Sequence, residues 1–259
     1  MSQPIIDTNV NLFRWPFRRV HGDETHDLIS LLRQHNVAQA WAGSFEGILH
    51  KDVAGVNARL AAECRKHGHG ILVPFGSVNP MLPDWEDDLR RCADEHKMRG
   101  IRLHPNYHGY KLGDSVFARL LALAAEKNLI VQIAVGMEDE RTQHPLVRQN
   151  DVDVSPLPNL LQPHPKLRVI LLNCFRSLKG DLRLRAAQSE NIHFEISTLE
   201  EVGGVAKLLE KIPVRQVLFG SGAPFFYFES ALLKLRESPL RDDQLKRIRE
   251  ENARELFRG

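Results

Sequence analysis

Short runs of apolar, often β-branched residues alternate with longer stretches in which apolar positions recur every three or four residues, and the alternation runs the length of the chain. The first kind of run has the pattern of a buried strand and the second that of an amphipathic helix. Their regular succession predicts βαβ units on a parallel sheet. Eight strands are predicted, at 5–12, 38–44, 70–78, 100–105, 130–136, 168–173, 192–198 and 216–222. Helices are predicted at 24–35, 50–67, 84–97, 114–127, 177–189, 202–211, 228–237 and 241–257, with Asp84 and Asp114 suited to cap two of them. The longest stretch with neither pattern runs from 137 to 158, beyond the roughly 12–15 residues of an ordinary connection, and predicts a lid or binding loop. Eight such units fit a closed (β/α)₈ TIM barrel better than an open doubly wound sheet. No G-x-G-x-x-G follows the first strand to argue for a dinucleotide fold.

Composition narrows this picture. The 259 residues are close to the roughly 250 of a barrel of this type, so one domain over 1–259 is expected. Apolar residues at 42% and charged residues at 26% suit a large buried core. A net charge of +2, from 35 basic and 33 acidic side chains, gives no electrostatic reason to expect a nucleic-acid or membrane partner. Cys64, Cys92 and Cys174 lie far apart without a C-x-x-C spacing and are expected as buried thiols in a reducing compartment. The passage from Met1-Ser2-Gln3-Pro4 straight into the first strand has no leader pattern, and no apolar run approaches the roughly 18 residues of a span, so a cytoplasmic protein is expected.

In a barrel the chemistry sits where the strands end, and several strand ends carry a resemblance. Ile5-Ile6-Asp7-Thr8-Asn9-Val10-Asn11 resembles the opening strand of the amidohydrolase-related family, which normally reads Asp and then His-x-His. Gly100-Ile101-Arg102-Leu103-His104-Pro105 resembles its fourth strand. Val217 to Pro224 resembles an eighth strand usually ending Gly-Ser-Asp, and Glu251 to Phe257 its last helix. The resemblance implies a metal-dependent-hydrolase barrel acting on amides, lactones and related carbonyl compounds, with some decarboxylases and hydratases and some metal-free lactone hydrolases. It also implies where the metal ligands would be: here Asn9, Asn11, Ala134, Asn173 and Gly222. Asparagine amides are weak neutral donors, and alanine and glycine side chains donate nothing, so the metal site is expected to be lost and no cofactor is expected. A rebuilt site on His104, His108 and His144 would need a helix through 104–108 to bring two rings to one face, and Pro105 argues against that helix.

The polar groups that remain define a candidate site for a small carbonyl substrate or ligand. Asn9 and Asn11 share one face of the first strand by its period of two, and Asn173 faces the same mouth; their amides suit a neutral polar ligand or simply fill the space of lost histidines. His104, closing the fourth strand, is a candidate general base, with His108 in the adjoining loop. The loop after the fifth strand brings Glu138, Arg141 and His144 to the same mouth, where Arg141 could polarise a carbonyl or merely pair with Glu138 or Asp139. Trp15-Pro16-Phe17-Arg18 can supply an aromatic wall and a cation over the pocket, rim packing, or the subunit contact of a homo-oligomer. Trp41 and Phe45 are expected in the core. Two function classes stay open: a metal-independent hydrolase or ligand-binding relative, favoured by convergent polar groups, and a non-catalytic binding or structural barrel, favoured by a mouth filled with Trp15, Phe17 or Phe225.

Overall fold

The structure, a computed structural model, describes residues 4–258; residues 1–3 of the stretch read for a leader lie outside them. Eight parallel strands follow one another in chain order: β1 (Ile5–Leu12), β2 (Val37–Ser44), β3 (Leu72–Ser77), β4 (Gly100–Leu103), β5 (Ile130–Ala134), β6 (Val169–Leu172), β7 (Ile192–Glu195) and β8 (Val217–Leu218). Each is buried along its length or nearly so, because helices cover the outer face and side chains fill the inner one. The last gap closes through Thr8 N–H to Phe219 O at 3.0 Å, Gly222 N–H to Asn9 O at 2.9 Å and Asn11 N–H to Ala223 O at 2.9 Å. The (β/α)₈ barrel expected from the pattern is thus observed, with every predicted strand present.

Around it run α1 (Thr25–Gln34), α2 (Val53–His67), α3 (Trp85–Asp94), α4 (Pro105–His108), α5 (Ser115–Glu126), α6 (Leu157–Leu161), α7 (Gly180–Ala187), α8 (Gly204–Leu209), α9 (Phe228–Arg236), α10 (Asp242–Lys246) and α11 (Asn252–Arg258). In α2, Val53, Val56, Leu60, Ala61 and Cys64 recur at helical spacing and are buried against the barrel. All three cysteines are free and buried. No helix among the described residues is long and apolar enough to cross a membrane. The stretch from 137 to 158 divides in two: Val152 and Val154 turn back into the core, Val152 N–H reaching Val135 O, while 140–150 stays outside with two short 3₁₀ turns.

Two layers fill the barrel axis. The floor is apolar, with Trp41 stacked on Phe75 at 5.0 Å and Ile6, Ile130, Ile170 and Leu218 around them. Above it the wall turns polar, and β1 makes the switch by a bulge: Asp7 pairs with Ala40 but Val10 with Ala42, so three steps on β1 oppose two on β2. The bulge lets Ile6 and then Asn9 and Asn11 face the axis, while Val10 joins the outer core. His193 of β7 lies at floor level, buried, with Nδ1 unpartnered, and burial pushes its imidazole down to about 4. Because the unfolded chain binds that proton at a higher pH, this contribution to stability is complete above about pH 6.5 and is lost as pH falls through about 4. Thermal melts of His193→Gln should therefore gain on the parent by up to about 3 kcal/mol between pH 7 and pH 4; a difference independent of pH would contradict the buried neutral imidazole.

Candidate active site at the barrel mouth

The polar layer is organised around two buried charges. Arg102, 1% exposed, stands on β4, on the same face as His104 two residues on. Its Nε donates to Gln132 Oε1 (2.9 Å), Nη1 to Val10 O (2.8 Å) and Asn11 Oδ1 (2.7 Å), and Nη2 to Trp41 O (3.0 Å). Burial without a contacting carboxylate pushes the guanidinium down to about 9, against the upward pull of Asp7 and Glu195. Across the barrel on β7, Glu195 accepts from Asn173 N–H (2.5 Å), Ser197 N–H (2.6 Å), Ser197 Oγ (2.7 Å) and Asn9 Nδ2 (3.3 Å). Burial raises its carboxyl and those donors pull it back. Beneath the mouth, Asp7 accepts from Asn9 and Ser221 N–H groups, while burial pushes it up to about 7.

The five positions that match the family's ligands are therefore occupied by this network or by packing. Asn9 donates to Asn173 Oδ1 (2.9 Å), Asn173 donates to Gly136 O (2.9 Å), and Asn11 receives the guanidinium. Ala134 packs with Trp15 and Met137. Gly222 has φ +71, and a Cβ there would meet the Phe226 ring, so a side chain at this position would be strained and crowded. Among the described residues no group of three or more His, Cys, Asp or Glu side chains is placed to hold a metal ion. The expectation that Asn9, Asn11 and Asn173 share the mouth holds.

The expectation drawn from Pro105 does not. Pro105–His108 forms a helical turn. A proline in the first helical position loses no hydrogen bond, and the restriction it imposes falls on His104, which caps the turn with φ −126 and ψ 67. The turn brings the rings of His104 and His108 to 5.9 Å at 78°. His108 Nε2 meets the carbonyl of Gly47 at 2.9 Å, which makes that nitrogen the donor and leaves Nδ1 as a bare acceptor. His104 is 1% exposed with both ring nitrogens unpartnered, and burial, with His108 and Arg102 nearby, holds it well below the usual imidazole range.

The remaining candidates divide between rim and solvent. Glu138 is buried and takes two bonds from Arg18 (2.8 and 3.1 Å) and one from Thr142 Oγ1 (3.2 Å). Arg141 has a side chain 86% exposed and grips Asp139 at 2.7 and 3.0 Å, which holds that carboxyl well below its usual range. His144 is also exposed, its Nδ1 accepting from Leu146 N–H. Neither is gathered to His104. Over the axis sits an aromatic cap: Trp15 meets Phe17, Phe45, Tyr107 and Phe225 edge-on, with centroids 4.8–5.9 Å apart. Beside it a cleft of about 570 Å³ opens along Arg18, Glu138, Arg176, Ser197 and Lys234.

Arg102, Gln132, Glu195 and the central role of Trp15 are not singled out from the sequence. Alternation along Gly100–His104 was the available signal for Arg102, and one acid within the run Ile192-His193-Phe194-Glu195-Ile196 the signal for Glu195.

No curated protein matches the chain. Among solved structures, 2,6-dihydroxybenzoate decarboxylase from Rhizobium has a TM-score of 0.77 at 13% identity, covering 100% of this chain and 99% of its own. For 5-carboxyvanillate decarboxylase from Sphingomonas paucimobilis the values are 0.76 and 12%, covering 99% of each chain. A dihydroxybenzoic acid decarboxylase from Polaromonas, solved with manganese and 2-nitroresorcinol, gives 0.77 and 12%, covering 99% of this chain and 97% of its own. Identities this low establish the shared fold. A family model described as Amidohydrolase matches residues 14–259, and the chain belongs to that family.

Proposed function

We propose that this protein is a member of the family that works without the family's metal, binding a small carbonyl compound of the lactone or amide type and hydrolysing it with His104 as general base. The observation that carries this reading is His104 itself: a neutral imidazole just past the end of β4, enclosed, with neither ring nitrogen hydrogen-bonded. In that state it can take the proton of a water that adds to the carbonyl carbon and return it to the departing alkoxide or amine as the C–O or C–N bond breaks. Asn9, Asn11, Asn173 and His108 would line the ligand, and Arg18 with Glu138 would close the rim. The donor chemistry supports the metal-free part of the reading, since two amides already committed to Arg102 and Asn173 and a crowded glycine offer a divalent ion little. A guanidinium in contact with Asn11 would also repel such an ion.

The metal content of the purified protein tests this. Elemental analysis after exhaustive dialysis should find well under one equivalent of zinc, manganese or iron, and chelator should leave the melting temperature unchanged; a retained full equivalent would overturn the reading. A second reading, a non-catalytic binding or structural barrel, is favoured by the aromatic cap, in which Trp15 packs against Phe225 and Phe45 at the mouth.

A further inference from the structure

We propose that Arg102 and Glu195 form a built-in charge pair across the barrel mouth that takes the structural place of a bound divalent ion. A metal in such a barrel would tie several strands to one centre. Arg102 does this for one half, bonding groups of β1, β2 and β5 from its seat on β4. Glu195 does it for the other half, bonding the residues that follow β6 and β7 together with Asn9 of β1.

The two halves meet on β1. Asn11 presents its carbonyl oxygen to the cation and Asn9 its amide hydrogens to the anion, a division that asparagine performs at both positions because its side chain carries a donor and an acceptor. Two glycines make room. A Cβ at Gly43 would stand 2.6 Å from Arg102 Cδ and Nη1, and one at Gly220 would stand 2.8 Å from Glu195 Cβ and closer still to its carboxylate. The asparagines at positions 9 and 11, the two charges and the glycines at 43 and 220 are thus explained together. The pair is neutral overall, so the barrel acquires no net charge from it, and each charge is satisfied by fixed dipoles.

The proposal rests on the metal-free reading but fails separately from it. In a double-mutant cycle by chemical denaturation, Arg102→Met and Glu195→Gln should each raise the unfolding constant sharply or abolish folding, while the double variant recovers at least tenfold relative to the sum of the two. Singles whose effects simply add, or a double variant that is unfolded, would overturn it. The second arm uses zinc alone as the probe, on an Asn9→His/Asn11→His background. There Arg102→Met, or Arg102→Met/Glu195→Gln where the former is unfolded, should bind zinc at least tenfold tighter than the background itself, whereas Arg102→Lys, which keeps the charge, should not. Equal zinc affinity with and without the cation would mean that Arg102 merely fills space. Absence of any hydrolysis would sink the functional reading and leave both of these measurements as they stand.

Discussion

Trp15→Ala should destabilise the protein by about 3–5 kcal/mol, measured as the shift in denaturation free energy, because it removes the centre of the cap rather than a rim side chain. The indole is 2% exposed and touches four aromatic rings edge-on, and beneath it lie Ala134 and Met137. Edge-to-face pairs contribute about 0.5–1.5 kcal/mol beyond the area they bury, and of the side chains packed around the indole only Met137 is flexible enough to move into part of so large a void. Trp15→Phe should cost much less, since it keeps a ring at the centre and deletes an indole N–H that has no acceptor. A loss below about 1 kcal/mol for the alanine variant would show that the cap is not a packed unit.

That cap also separates the two functional readings. If the site turns over a ligand, the cap must yield or the ligand must enter beside it, along the cleft between Glu138 and Lys234. If the barrel is non-catalytic, the cap is simply the end of the core.

The barrel was legible in the sequence because parallel strands covered on both faces are nearly continuous apolar runs, and β1 is read to the residue. Later strands are shorter than their apolar runs suggest. β8 keeps regular pairing only at Val217–Leu218, because the chain beyond it bonds irregularly to β1 and to the segment before α11, Phe219 N–H reaching Ile248 O. α4 escapes the pattern because proline breaks a helix in its interior but starts one at the first position of a turn. The placement of Asn9, Asn11, Asn173 and His104 followed from strand ends and period two. What held those groups was not legible: a lone arginine in an apolar strand carries no sign of whether its partners are carbonyls across a barrel or water. The loop residues Arg141 and His144 share the mouth in sequence order only, since their partners, Asp139 and the loop's own backbone, are two residues away.

On the proposed function, His104 and not a metal carries the chemistry at this mouth. The direct measurement is the rate of hydrolysis of a panel of small lactones and amides in the presence of chelator, for the parent, His104→Ala and Arg141→Ala, with melting temperature followed alongside. A base that acts only in the transition state is worth about a hundredfold or more in rate. Arg141, exposed and already paired with Asp139, should be worth no more than a few-fold. Turnover should survive chelator, fall at least about a hundredfold in His104→Ala at unchanged fold, and be nearly kept in Arg141→Ala. Turnover abolished by chelator, an undiminished rate in a folded His104→Ala variant, or no hydrolysis of any compound in the panel would contradict it.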